Sequence, residues 1–352
     1  MEKFYQTLGE LSSCPSDSGN ERPMQSLLVS HLKGLDVAIE IDDIGNLYVK
    51  RKGAKPGHLA LSAHQDKIIG STFIGRRAED IEGFDTNVLL DGICYAERVL
   101  EGGRFLTRDG KKYVSINTNF PTHPEIVKIE KKGYQFYIIP GLMADFPETD
   151  SEKRQDVCFL SDFRKRTELV YQGSKDKEGK LVEFVHGKLD DALGLATILE
   201  VLQSTDPRQT PDITTLFTVQ EEVGANGAIN MVEQGYLDEM NLDGIIVFDT
   251  SMYVRPGEGL ALYKEVSKAS RDNRDKDGFT PFEKSIIDLC NAQEIPILPG
   301  RGANDYVVFG MNTDIPTVAV EPPIRNMHQA IEAVQVSDIE LLRKFAKEYL
   351  TK

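Results

Sequence analysis

The chain has 352 residues, 40% of them hydrophobic, and a formal net charge of −15. Such a length holds two domains, or one large domain with an insertion, and the apolar fraction suffices for a substantial core. The acidic balance excludes a nucleic-acid partner, because binding a phosphate backbone needs basic surface.

The opening Met1-Glu2-Lys3-Phe4-Tyr5 lacks the basic and apolar regions of a signal peptide. No apolar run reaches membrane-spanning length. A cytoplasmic protein with no membrane partner is expected. Cys14, Cys94, Cys158 and Cys290 are far apart and form no C-x-x-C pair, so they read as isolated reduced thiols.

Residues 21–34 repeat apolar side chains at helical spacing, with Met24, Leu27, Leu28 and Leu32 on one face. Asp43-Ile44-Gly45-Asn46 is a turn signal, and Leu47-Tyr48-Val49-Lys50 suits a strand. Leu59-Ala60-Leu61-Ser62-Ala63 reads as a short buried strand that delivers His64 at its end. From about 74 to 183 short apolar stretches alternate with turns, as in Arg104-Phe105-Leu106-Thr107 and Tyr134-Gln135-Phe136-Tyr137-Ile138-Ile139. This is the pattern of a small β-rich domain. After Lys188 helices and strands alternate again: a buried helix over 190–203, a strand over 214–219, and a strand over 244–248 with little alternation. A helix over 280–292, a strand over 317–320 and a last helix from Ser337 follow, the last with Glu340 three residues on as a capping box. The expected fold class is α/β. Residues 1–73 and 184–352 are expected to form a mixed-sheet, three-layer αβα domain. Residues 74–183 form an inserted small β-rich domain.

Five metal-ligand side chains occur at the edges of these elements: His64, Asp190, Glu222, Asp249 and His328. Two imidazoles and three carboxylates suit a pair of divalent ions, and one bridging carboxylate can hold such ions about 3.5–4 Å apart so that both act on one water. Glu221, beside a ligand glutamate, supplies a base. Asp66 stands two residues after His64, a spacing that on a strand puts both side chains on one side. Its carboxylate can then fix the ring nitrogen that His64 does not give to metal. Each residue alone has a plain structural use: Asp190 and Asp191 as helix caps, Glu221 and Glu222 as a solvated pair, His64 and His328 as ordinary histidines. The combination of type, order and context points to a hydrolase.

In these motifs the chain resembles the tetrahedral (TET) and glutamyl aminopeptidase family of dinuclear-metal peptidases, of clan MH. The likeness runs through Ser18-Gly19-Asn20-Glu21, Asp43-Ile44-Gly45-Asn46, His64-Gln65-Asp66, Lys188-Leu189-Asp190-Asp191, Gln220-Glu221-Glu222-Val223-Gly224 and Met327-His328. The 126 residues between His64 and Asp190 match that family's layout, with the insert between these ligands. The resemblance implies that His64 and Asp249 hold one metal, Glu222 and His328 the other, and that Asp190 bridges. It implies that Asp66 orients His64, that Glu221 is the general base, and that the insert serves assembly, with dimers building to a dodecamer. Gln65, Lys67, Ala192 and Asn304 depart from the family pattern. Lys67 is expected to face either the cleft, where it would read substrate charge, or solvent.

The expected activity is a metal-dependent aminopeptidase that removes N-terminal residues from short peptides. The cofactors are two divalent ions per subunit, zinc or cobalt, since mixed His/carboxylate donors do not select one metal sharply. The alternatives are a deacylase or other amide hydrolase of the same clan, and a non-catalytic scaffold, against which an intact Glu221 argues.

Overall fold

The computed structural model describes residues 2–14, 16, 18–67, 181–267, 273–325, 327, 328 and 332–352, together with the backbone of strands within 73–175. Two helices open the chain, α1 (Glu2–Ser13) and α2 (Arg22–Leu32). The expected face of α2 turns inward through Met24, Leu28 and Leu32. Strands β1 (Ala38–Ile41), β2 (Leu47–Arg51) and β3 (His58–His64) follow.

Within the expected insert lie β4 (Phe73–Ile74), β5 (Asn87–Asp91), β6 (Arg104–Thr107), β7 (Tyr113–Ser115), β8 (Val127–Lys131), β9 (Tyr134–Pro140), β10 (Val157–Leu160) and β11 (Val170–Lys175). They pair as β4-β5-β9-β8 and β10-β6-β7, so the stretches read as strands around 104–107 and 134–139 are strands. Strand β12 (Leu181–Gly187) crosses the boundary expected at 183/184. It pairs with β11 on one side and with a late strand, β19 (Glu332–Gln335), on the other.

Beyond it run α3 (Ala192–Ser204), β13 (Asp212–Thr218), α4 (Asn226–Glu233), β14 (Gly244–Phe248) and β15 (Leu260–Tyr263). The chain continues through α5 (Pro281–Ala292), β16 (Ile297–Pro299), α6 (Asp305–Asn312), β17 (Thr317–Glu321), β18 (Ile324–Arg325) and α7 (Val336–Thr351). The main sheet has the order β1-β2-β13-β3-β14-β17-β15-β16. Its four central strands, β13, β3, β14 and β17, are parallel. Antiparallel β2 flanks them at one side and antiparallel β15 at the other, so the sheet is mixed.

The pleat sends alternate residues to two cores. Leu61, Ala63, Ile246, Phe248, Val318 and Val320 join one core with side chains of α1, α2, α3, α5 and α7. Ala60, Ile245, Val247 and Ala319 join the other with α4 and α6. A sheet covered on both faces explains why β14 reads as an unbroken apolar run. This is the three-layer αβα arrangement expected.

One helix start differs. Helix α7 begins at Val336, and its N-cap Gln335 makes no side-chain cap bond. Ser337 therefore lies inside the first turn, where its hydroxyl accepts from Gln335 Nε2. The reciprocal capping box belongs instead to α5, where Thr280 Oγ1 accepts from Glu283 N–H and the Glu283 carboxylate accepts from Thr280 N–H. Cys14 and Cys290 are free thiols, as expected. No helix among the described residues is long and apolar enough to cross a membrane.

Candidate active site

The parallel strands bring the expected residues to one end of the sheet, the carboxyl end, where open α/β sheets place their ligands. His64 is the last residue of β3, and Asp249 directly follows β14. Glu221 and Glu222 follow β13 through a turn in which Gln220 takes φ 55°. Asp190 immediately precedes Asp191, the N-cap of α3. His328, at φ 60°, lies between β18 and β19.

His64 Nε2 stands 3.2 Å from Asp190 Oδ1 and 3.7 Å from Asp249 Oδ1. His328 Nε2 stands 3.4 Å from Asp190 Oδ2 and 3.3 Å from Glu222 Oε2. Two donor triads result, His64–Asp190–Asp249 and Asp190–Glu222–His328, each with its donor atoms within 4.8 Å of one another. Asp190 is common to both and turns one oxygen to each histidine.

The supporting contacts partly differ from expectation. His64 Nδ1 lies 2.8 Å from the backbone carbonyl of Asp66, and the Asp66 carboxylate is farther, at 3.5 Å. Strand β3 ends at His64, so the two side chains no longer share a pleat. The Asp66 carboxylate accepts instead from the Ser18 hydroxyl at 2.6 Å, Glu221 N–H at 2.9 Å and Glu222 N–H at 3.2 Å. It thus fixes the turn that carries both glutamates. Lys67 faces neither cleft nor solvent. It is 2% exposed, and its ammonium donates to the carbonyls of Leu11, Ser12 and Cys14 near the end of α1. A cation suits carbonyls at the C-terminal end of a helix.

Sequence reasoning missed several buried groups around the ligands. Glu332 Oε1 accepts from Lys188 Nζ at 2.6 Å and from His328 N–H at 3.0 Å. Its Oε2 accepts from Leu189 N–H at 2.7 Å and Asp190 N–H at 3.1 Å. One carboxylate therefore ties together the backbones that carry two expected ligands. Its signal was a glutamate inside an apolar strand, Glu332-Ala333-Val334. Asp191 Oδ1 accepts from Gly194 N–H at 2.8 Å, and a Cβ on Gly194 would sit 2.4 Å from Asp191 Oδ2. The absence of a side chain at Gly194 thus leaves room for the Asp191 carboxylate. Asn304 Nδ2 donates to Asp249 Oδ2 at 2.7 Å and to Glu321 Oε1 at 2.8 Å. Glu321 could have been found as a carboxylate closing an apolar strand, the same signal that marked Asp249.

The cluster is strongly anionic. Burial pushes the Glu221 carboxyl up to about 9, with Asp249, Asp305 and Asp190 adding to the rise and His64 opposing it. Burial and Asp190 likewise hold Glu222 and Asp249 above the usual carboxylate range. Burial opposes ionisation of Asp190 too, but hydrogen bonds from His328 and His64 outweigh it and hold that carboxyl low. Burial pulls His64 down, but Asp190, Asp249 and Asp66 outweigh it and raise it well above an ordinary histidine. So many buried carboxylates with two imidazoles call for added cations, and the donors present fit divalent ions of the first transition row. The site opens into a cleft of about 490 Å³ whose lining includes Met252, Tyr253, Val307 and Val308.

Residues 178–345 match the M42 glutamyl aminopeptidase family. That stretch carries Asp190, Glu221, Glu222, Asp249 and His328. A lysyl aminopeptidase of Pyrococcus furiosus is 23% identical over 352 residues, covering 98% of this chain and 96% of the relative. Among solved structures, an aminopeptidase of the archaeon Desulfurococcus kamchatkensis superposes with a TM-score of 0.71 at 18% identity, covering 100% of this chain and 95% of its own. A TET1 peptidase of Pyrococcus horikoshii, which can assemble into a tetrahedron or a large octahedral shell, gives 0.68 at 18% identity with 99% of both chains covered. Together these matches support an aminopeptidase, a hydrolase of peptide bonds, and metal dependence is a property of M42 peptidases. The structural likenesses establish its α/β fold.

Proposed function

We propose that this aminopeptidase removes N-terminal residues from short peptides at a two-ion centre. In it His64 and Asp249 hold one ion, Glu222 and His328 hold the other, and Asp190 bridges. The observation that carries this reading is the pair of donor triads sharing Asp190, one of its oxygens on each histidine. Bound divalent ions, zinc or cobalt, supply Lewis-acid polarisation of the scissile carbonyl and acidify a water.

The chain's own residues do the rest. Glu221 takes a proton at its carboxylate from the attacking water and hands it to the nitrogen of the leaving amine. Asp66 holds Glu221 and Glu222 in place through their backbone N–H groups. The Asp66 carbonyl fixes the His64 ring through Nδ1, so that Nε2 faces Asp190 and Asp249. Glu332 holds the chain on both sides of the cleft through Asp190 N–H and His328 N–H. The exposed apolar side chains Met252 and Tyr253 line the cleft, where a short peptide can lie against them.

Residues 74–183 are assigned to a separate β-rich domain that supplies subunit contacts, with dimers building to a dodecamer. The strand pairings β4-β5-β9-β8 and β10-β6-β7 support a body of its own, and the related TET1 peptidase from Pyrococcus horikoshii supports assembly. The cell compartment assigned is the cytoplasm.

Elemental analysis of metal-saturated, desalted protein, coupled to hydrolysis of an aminoacyl-anilide panel, tests the reading. Two equivalents of metal per chain and turnover of anilides with a free α-amine are expected. One equivalent, or turnover restricted to N-acylated amino acids, would sink it.

A further inference from the structure

The cleft is lined by charged groups that the two-ion reading does not use. With Asp190, Glu222, Asp249 and His328 assigned to metal and Glu221 to the proton, the charged lining residues that remain are Arg301 and Glu321. They differ in placement. Arg301 is exposed, whereas Glu321 is 1% exposed.

Glu321 ends β17, beside Asp249 at the end of β14. Asn304 Nδ2 bridges the two carboxylates, donating to Asp249 Oδ2 and to Glu321 Oε1. That single bond occupies one oxygen. The other, Oε2, makes no hydrogen bond of good geometry among the described residues, with the Tyr263 hydroxyl close enough to bond the carboxyl only weakly. The Tyr263 hydroxyl stands next to Glu321 and is 3.0 Å from Ser251 Oγ. A buried carboxylate oxygen without a partner is costly, and a cation is what relieves that cost.

The surroundings select the kind of cation. Glu321 lines the same cleft as the ligands, one amide group away from Asp249, so it lies within reach of the substrate's first residue. The same cleft has apolar wall as well, with Met252, Tyr253, Val307 and Val308 among the lining. An aliphatic stem with a positive tip matches a cleft that combines the two, because the stem packs on carbon while the charge meets oxygen. We propose that Glu321, held by Asn304, is the specificity-determining residue for a basic N-terminal side chain, lysine or arginine. The inference rests on the aminopeptidase reading above and adds the substrate class.

The test uses substrates that share the α-amine and the length of the stem and differ in the terminal charge. With metal-saturated full-length enzyme, kcat/KM is measured for lysyl, arginyl, norleucyl and glutamyl anilides. In parallel, calorimetry measures binding of lysinamide and norleucinamide. The wild type is expected to favour lysyl and arginyl over norleucyl substrates, and lysinamide over norleucinamide. Glu321→Gln is nearly isosteric and keeps an acceptor for Asn304. It should lower the lysyl-to-norleucyl ratio about 10–100-fold, the worth of one charge-assisted contact. Glu321→Lys should go further and invert the preference toward glutamyl substrates. If Glu321 merely steadies Asn304 and Asp249, the variants will lose metal and reduce all substrates in proportion, leaving the ratio unmoved; that result overturns the proposal. A wild type that turns over norleucyl substrates as well as lysyl ones overturns it too, while leaving the aminopeptidase reading intact. Absence of turnover on every anilide counts against the aminopeptidase reading, and the amide binding ratio then still decides the role of Glu321.

Discussion

Neighbouring carboxylates in this site have different neighbours, and that separates their roles. Glu222 lies 3.3 Å from His328 Nε2 within a donor triad, whereas Glu221 belongs to neither triad. Glu221→Gln is therefore expected to retain both ions and lose about 10²–10⁴-fold in kcat, the usual worth of a positioned acid/base. Glu222→Gln is expected to lower metal content as well as rate. Metal analysis and steady-state kinetics on the two variants check this, and identical behaviour would refute the division of labour. The Lys188–Glu332 pair is buried, with side chains 1% and 0% exposed. Lys188→Met leaves the Glu332 charge without its cation, so it should cost about 3–5 kcal/mol in urea unfolding. The ligands were legible in the sequence because each ends or opens a periodic segment with a donor side chain. Glu332 and Asn304 were not, because they act on other residues' backbone and amide groups, and such contacts leave no spacing of their own. Lys67 was misread for the same reason. Its partners are carbonyls of α1, more than fifty residues upstream.

At the scale of elements, the sequence pattern located segments better than it located their ends. The pattern Ser337-x-x-Glu340 satisfies the capping-box rule, yet β19 runs directly into α7 and the helix starts one residue earlier. Tertiary pairing of β19 with β12 decides that start. Thr280→Ala should cost about 1 kcal/mol through loss of the true cap on α5, measurable as a shift in the urea midpoint. The first turn of α7 also carries a pH dependence. Burial pushes the Asp338 carboxyl up to about 7, and the Gly257 N–H bond offsets this only in part. The folded chain then binds a proton that the unfolded chain releases near pH 4. Stability from this group is thus highest below pH 4, falls as pH rises toward 7, and is level above it, a span of up to roughly 4 kcal/mol. Asp338→Asn should flatten that slope in denaturation midpoints measured from pH 4 to 7. An unchanged slope would mean that the Asp338 carboxylate stays ionised in the folded state.

Over the whole molecule, the site depends on strands that are distant in sequence and adjacent in the sheet. β3 lies between β13 and β14, which is how His64 meets Asp249 and how the chain between His64 and Asp190 can hold some hundred residues without parting the two. Alternation of helix and strand made the αβα layers legible, but the order of strands follows from pairing, which a single sequence does not display. The same topology leads us to expect that the inserted stretch is dispensable to the ligand geometry. β3 and α3 are fixed by the main sheet and its cores, so the insert is expected to matter for assembly and not for metal binding. Replacing residues 74–183 by a Gly/Ser linker should leave two metal equivalents per chain while reducing the particle size. Multi-angle light scattering on the full-length enzyme at micromolar concentration should show an oligomer of dimers, up to the dodecamer, and the shortened chain should run smaller. A full-length enzyme that is monomeric and fully active would remove the assembly role. A shortened chain that folds but no longer binds metal would show instead that the insert shapes the active site.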